Sequence, residues 1–397
     1  MYETRGAVAL TIDQRDRLRT LAPSIMMTPT VGSNEAYDLT PGSSIGVVNL
    51  GDLELVISPR LAIERVLFLI SYAIGRGRWD PAPAHLADAD SLVEAITPAF
   101  TYQLRRTLAR GVLQGYRTEE DALVTLRGQW RVADQLRRRY GLVPPIEVTF
   151  DDFTEDILPN RLLRAAVERL LRLRHRDAAS TWGLRAIDST LGNVGLEHFD
   201  PRAVPVVRYD RLTERYRPAV ELARLILAGT SFDVEPGGIA ASAFLIDMNK
   251  VFEDFVVVAL REALAVSDQV LVQGARRRPL HLDADEQINL EPDLSLWHGS
   301  VCTFVGDVKY KRVRSDAYPN ADIYQLAAYT VGTNLPTGML IYAAGEDEPA
   351  TYEIPRIGKR LEVVALDLTK SPDLVLAQIA MLATRISEVA MHEGAVA

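Results

Sequence analysis

The stretch from Leu290 to Arg312, LEPDLSLWHGSVCTFVGDVKYKR, constrains this chain more than any other. Apolar Leu290, Leu294 and Leu296 precede His298-Gly299-Ser300, and Val301, Phe304 and Val305 follow it. Apolar residues bounded by Gly and Ser predict two paired strands. Counting outward from that turn puts Asp293 and Asp307 on one face, offset diagonally by about two residues, with Cβ atoms about 7–8 Å apart against about 4.5–5.5 Å for an opposed pair. One cation would bridge either spacing. Carboxylates that close repel unless a cation lies between them, and hard oxygen ligands suit Mg²⁺ or Mn²⁺. Strand residues two apart share a face, so Lys309 points with Asp307 while Val308 points into the core. Acidic oxygens for a metal, and an ammonium beside the attacking water, are what a nuclease needs. The plain alternative is an exposed hairpin with scattered charges. D-x-K alone is weak; the preceding Pro292-Asp293 at hairpin spacing favours the nuclease reading.

Two further segments bear on it. Asp322–Tyr329, DIYQLAAY, reads as a helix. Gln325 and Tyr329 are four apart and share a face, where they would reach a DNA phosphate or the backbone beside the metal site. An ordinary amphipathic helix is the other reading. Upstream, Phe244–Leu264 reads as a long helix, with Phe244, Met248, Val251, Phe255 and Ala259 as its buried stripe. Glu253 lies off that stripe, as a third metal ligand or as a solvated glutamate.

In order, Glu253 on a helix, Pro-Asp, Asp-x-Lys and Gln-x-x-x-Tyr resemble the PD-(D/E)xK nuclease superfamily. The detail looks closer to McrC, the nuclease subunit of McrBC-type modification-dependent restriction systems. FLIDMNKVFEDFV (Phe244–Val256), EPDLSL and GDVKYKR carry the likeness, with ISPRLAIERVLFLISYAIG (Ile57–Gly75), LQGYRTEEDALVTLRGQW (Leu113–Trp130) and FTEDILPNRLL (Phe153–Leu163) outside the nuclease. The resemblance implies Asp293, Asp307 and Lys309 as the catalytic set, with Glu253 added and Gln325 and Tyr329 in support. Asp293, Asp307, Glu253 and the Val308 carbonyl would hold Mg²⁺, or Mn²⁺. It also implies a partner, a McrB-like AAA+ GTPase or ATPase ring, whose hydrolysis the N-terminal half would stimulate by docking; a DNA-clamping or purely structural domain is the other reading of that half. The expected substrate is double-stranded DNA, with modified cytosine read by the ring, in a phage-defence setting. The rivals are a free-standing PD-(D/E)xK repair nuclease and a non-catalytic regulator of an AAA+ partner.

Charge qualifies this reading. The 397 residues carry a net −9, whereas phosphate neutralisation by Lys and Arg supplies most non-specific DNA affinity. Local clusters answer this. Arg276, Arg277 and Arg278 precede the hairpin, and Lys311 and Arg312 close it; all five are candidate DNA contacts. The arginine-rich span Arg105–Arg176 is a third local cluster of positive charge, or plain helix surface. Cys302 is the single cysteine, so no internal disulfide forms and no Cys-based zinc site is expected. No phosphate-cradling loop is present, since Gly358-Lys359 lacks the upstream glycines, so the chain itself is expected to bind no nucleotide. The N-terminus does not read as a signal peptide. Apolar runs such as Phe255–Leu260 fall short of the ~18 residues a membrane span needs. A cytoplasmic protein is expected.

Along the chain, Ser43–Leu50 and Leu53–Ile57 flank Gly51-Asp52, a hairpin signal. A helix, Leu61–Ile74, follows Pro59. Residues 90–140 read as two or three helices joined at Gly111, Gly115 and Gly128. Pro144-Pro145 cannot continue a helix and sets a boundary near residue 150. The expected architecture is α/β: an α+β N-terminal domain over 1–150, then a helical lead-in (Leu158–Leu227) and a PD-(D/E)xK nuclease core, a mixed sheet flanked by helices, over about 237–370 of residues 151–397. Past Tyr329, Gly338–Ala343, Thr351–Ile354 and Leu361–Leu368 read as strands and Leu374–Met391 as a helix.

Overall fold

Ser44–Leu50, SIGVVNL, is a run of seven mostly apolar residues, too continuous to be solvated on one face. In the computed structural model it becomes a central strand, flanked on one side by Leu53–Ile57 and on the other by Gly238–Asp247 from far along the sequence. Gly46 makes the second pairing feasible. Its φ is +141°, and a Cβ there would lie 1.9 Å from the Phe244 carbonyl oxygen, a conformation and an approach open only to glycine.

The structure describes residues 5–33, 35–74, 91–235, 238–264, 270–274, 278–312, 320–344 and 350–394. The chain opens with β1 (Arg5–Ala9), α1 (Ile12–Leu21), β2 (Met26–Pro29), β3 (Ala36–Thr40), β4 (Ser44–Leu50), β5 (Leu53–Ile57), α2 (Ile63–Ile74) and α3 (Leu92–Leu108). The middle holds β6 (Gly115–Leu123), β7 (Gln129–Trp130), α4 (Val132–Arg139), β8 (Ile146–Thr154), α5 (Leu158–Leu171), α6 (Ala178–Thr190) and α7 (Arg217–Gly229). The rest is β9 (Thr230–Glu235), β10 (Gly238–Asp247), α8 (Met248–Ala263), β11 (Val270–Gln273), β12 (Leu280–His281), β13 (Asn289–Leu290), β14 (Leu294–His298), β15 (Val301–Arg312), α9 (Asn320–Gly332), β16 (Thr337–Ala344), β17 (Ala350–Ile354), β18 (Lys359–Ala365) and α10 (Pro372–Gly394).

These elements form two compact units, one of Met1–Ala95 with Phe232–Ala397 and one of Ile96–Ser231. The expected boundary near residue 150 therefore moves. That residue lies inside β8, which pairs with β6 and β7, and the N-terminal hairpin belongs with the C-terminal half through β4 and β10. In the first unit, α1 and the β4/β10 strands share a core of Leu18, Leu21, Ala22, Val48, Leu50, Ala241 and Ala243. The same unit holds a six-stranded mixed sheet, ordered β11-β14-β15-β16-β18-β17. Leu326 and Tyr329 of α9 pack on one face of it with Val305, Leu340, Tyr342 and Leu361. On the other face, Phe252 of α8 meets Tyr310, ring centroids 5.9 Å apart. Pro372–Met391 of α10 is long and apolar enough, by length and composition, to cross a membrane, contrary to expectation. Here Ile379, Leu382 and Ile386 are buried, and the helix packs on α8 and β15.

Two local expectations also change. The predicted helix Phe244–Leu264 begins only at Met248. Phe244 is on β10, and Asp247 caps the helix by accepting from the Asn249 N–H at 2.9 Å. Gly115–Leu123, predicted as helix, is the strand β6, because its polar GYRTEEDAL pairs residue for residue with the aromatic and β-branched β8. In the second unit, α5 and α7 bury Leu162, Leu163, Ala166 and Leu170 with Ala219, Val220, Ala223 and Leu227.

Candidate active site

The predicted hairpin is β14–β15. Its turn is Gly299-Ser300, with Gly299 at φ +57°, the left-handed value that two-residue hairpin loops require. The register differs from the count made on the sequence. The pairing shifts between Leu296 and Trp297, and from Leu296↔Phe304 outward it runs to Leu294↔Gly306. The next step outward places Asp293 directly opposite Asp307, not diagonal to it. A bulge near Thr303 accounts for the shift, since one strand gains a residue over the other.

Pro292 has no N–H to donate, and Asp293 ends the pairing by using its side chain. Its Oδ2 accepts from the Val308 N–H at 2.8 Å. Asp307 is wholly buried, and no backbone N–H reaches either of its oxygens. Its compensation is electrostatic, with Lys309 Nζ 2.6 Å from Oδ2. Burial first, and the charge of Asp307 second, push the Asp293 carboxyl up to about 8. Burial pulls the Lys309 ammonium down, but Asp307, Asp293 and Asp322 together hold it above its ordinary range. The arrangement thus lacks positive charge: two facing carboxyl groups, one of them wholly buried, and one lysine.

Gln325 and Tyr329 meet the backbone beside the pair. Gln325 Nε2 donates to Tyr329 Oη at 2.6 Å, and that hydroxyl donates to the Glu291 carbonyl at 2.9 Å. The latter residue is two before Asp293, so α9 braces the entry to β14. Glu253 stands apart from the pair. Its Oε1 accepts from Gln273 Nε2 at 2.8 Å and lies 3.2 Å from Lys250 Nζ, and both donors also reach Asp254. Its charge still contributes to the rise at Asp293. Among the described residues no three His, Cys, Asp or Glu are grouped to hold a metal. Two carboxylates nevertheless fit a hard cation that keeps water ligands, as Mg²⁺ does.

Of the predicted DNA contacts, Arg276 and Arg277 lie outside the described residues. Arg278 stacks on Trp297, 4.7 Å from the ring centroid, and Arg312 ends β15. Lys311 is tied to Asp322, 3.0 Å from each oxygen. That aspartate is buried and also accepts from Tyr342 Oη at 2.9 Å. Asp322, Gln273, Lys250 and Asp254 enter only with the structure. Asp322 was visible at the head of DIYQLAAY, whereas Gln273 lies on a four-residue strand that no motif marks.

The fold and site define a mixed α/β protein whose largest sheet sets two opposed acids beside a lysine. A family model described as the McrBC 5-methylcytosine restriction system component matches residues 39–343. The chain belongs to that family. Its fold is similar to a chain in the refined half-complex from the tetradecameric assembly of Thermococcus gammatolerans McrB AAA+ hexamers with bound McrC. The TM-score is 0.57 at 18% identity, over 95% of this chain and 88% of that one. A chain of the Thermococcus gammatolerans McrBC complex, determined by cryo-EM, matches at TM-score 0.43 and 21% identity, over 66% and 86%. No curated protein matches.

Proposed function

We propose that this chain is the Mg²⁺-dependent DNA endonuclease subunit of a McrBC-like restriction complex, with its six-stranded sheet as a PD-(D/E)xK core. The observation that carries the reading is the Asp293–Asp307 pair, opposed across one hairpin with Lys309 against it. Asp293 and Asp307 would hold the cation, helped by the Val308 carbonyl, with Glu253 a further candidate. The metal, when bound, polarises a phosphoryl oxygen and lowers the pKa of bound water. Lys309 keeps its proton, orients the attacking water and offsets negative charge growing on the phosphate. Tyr329 and Gln325 hold the backbone before Asp293, which fixes one carboxylate relative to the other.

Family membership supports a McrB-like AAA+ ring as partner, GTP- or ATP-driven, that delivers double-stranded DNA, with modified cytosine as the expected mark. The test is DNA cleavage with Mg²⁺ by the chain alone, then with its AAA+ partner and GTP or ATP. Cutting is expected only in the mixture with nucleotide. Cutting by the chain alone would favour a free-standing nuclease. Unchanged cutting by an Asp307→Ala complex would defeat the catalytic assignment.

A further inference from the structure

The arginines of this chain are segregated. Residues 96–231 hold 22 of its 44 Lys and Arg, every one an arginine, and 17 of its 53 Asp and Glu. That unit therefore carries +5, while the other carries −14. A unit at −14 is a poor source of the phosphate neutralisation on which DNA affinity rests. A guanidinium is planar and weakly hydrated, so it suits phosphate and stacks on aromatic rings.

Many of these arginines are engaged within the unit, as Arg161 is with Asp156 and Arg139 with Glu147. The pattern differs where α3 meets α6. The helices approach at Gly183, where a Cβ would lie 3.1 Å from Thr101 Cγ2 and 3.7 Å from Arg105 Nη2. Beside that contact Trp182 is 70% exposed and Tyr102 36%, and Arg105, Arg106 and Arg185 are exposed. Trp182 and Arg185 are three apart and share a face of α6. Arg106 lies 5.8 Å from the Tyr102 ring centroid. Arg105 and Arg185 make no ion pair among the described residues. An indole left in water on a well-formed helix, between arginines, matches the stacking-plus-phosphate design of single-strand binding surfaces. Bases stack on such a ring only when unpaired.

We propose that the α3–α6 face of the second unit binds a single-stranded stretch of DNA, with Arg105, Arg106 and Arg185 on phosphates and Trp182 stacked on a base. This deepens the nuclease reading and rests on it for the source of the strand. The test is fluorescence anisotropy of the full chain with a labelled oligo-dT and with a blunt duplex, in chelator so that no cutting intervenes, over a salt series. Trp182→Ala should weaken oligo-dT binding about ten-fold and Trp182→Phe should restore it. Arg105→Glu with Arg185→Glu should weaken it further and flatten the log–log salt slope by about 1.4, or ~0.7 for each phosphate no longer neutralised. These side chains are exposed, so melting temperatures should not move. Equal oligo-dT binding by parent and variants overturns the proposal. So does duplex binding that depends equally on Trp182, or variants that keep oligo-dT affinity but lose an AAA+ partner, which would make the face a protein interface. If Asp307→Ala leaves cutting untouched, the nuclease reading fails while the anisotropy result keeps its meaning.

Discussion

Replacing Asp293 by Asn should stabilise the metal-free protein while abolishing cutting. The carboxyl of Asp293 rises from 3.8 to about 8 through burial and the charge of Asp307. The folded-state pKa lies above the unfolded one. The contribution to stability is therefore fully present below about pH 4 and is lost as pH rises towards 8. At pH 7 the unfolded chain ionises this group freely and the folded chain resists it. At ~1.36 kcal/mol per pKa unit, the difference is about 4 kcal/mol. Asp293 is partly exposed, and screening by water leaves roughly 2 kcal/mol. Asn has the same shape, keeps an oxygen for the Val308 N–H and carries no charge. Thermal melts in chelator should then show Asp293→Asn about 2–4 °C above the parent at pH 7–8 and level with it near pH 4. Adding Mg²⁺ should raise the parent and close most of that gap. A variant that melts lower than the parent at pH 8, or by the same offset at both pH values, would refute the account of two carboxyls short of positive charge.

Lys309→Met should reduce cutting to background and lower stability by about 3 kcal/mol, measured by denaturant unfolding, because it leaves the buried Asp307 carboxylate without its 2.6 Å partner. Asp307→Ala should likewise abolish cutting in a complex that still assembles and hydrolyses nucleotide, read by paired cleavage and phosphate-release assays. Tyr329→Phe loses the bond to the Glu291 carbonyl; about 1 kcal/mol of stability should go with it, and single-turnover cleavage should slow without a change in assembly. Gly46→Ala should destabilise the first unit by about 3 kcal/mol or more, because its Cβ would collide with the Phe244 carbonyl; expression and melting temperature report it.

The hairpin that carries the candidate site was legible because its chemistry is local. Apolar spacing and the Gly299 turn predict β14 and β15; Asp307 falls on β15 and Asp293 one residue before β14. The register was not legible, since a bulge beside Thr303 leaves no mark in a run of β-formers. Phe244 matched a helical stripe because helix and strand periods agree over so few residues; the Asp247 cap, readable in sequence, marked the true start. The Glu253–Gln273–Lys250 cluster joins α8 to β11, a non-local contact that spacing cannot reveal. The domain boundary failed for the same reason. Pro144-Pro145 lies between α4, which ends at Arg139, and β8, which starts at Ile146, but the β4–β10 pairing that defines the units joins residues 44–49 to 242–247.

That pairing has a consequence for how the protein is made. β4 leaves the ribosome early, and its partner β10 follows about 190 residues later, after the whole second unit. At about 5–20 residues per second, the wait is roughly 10–40 s. Through that interval the β4–β5 hairpin presents an unpaired apolar edge, the kind of surface that invites adhesion to other nascent chains, while residues 96–231 are complete and free to fold first. Slowing synthesis or lengthening the inserted unit should therefore lower the yield of native protein far more than its final stability would suggest, and a chaperone that shields strand edges should be its natural companion during translation.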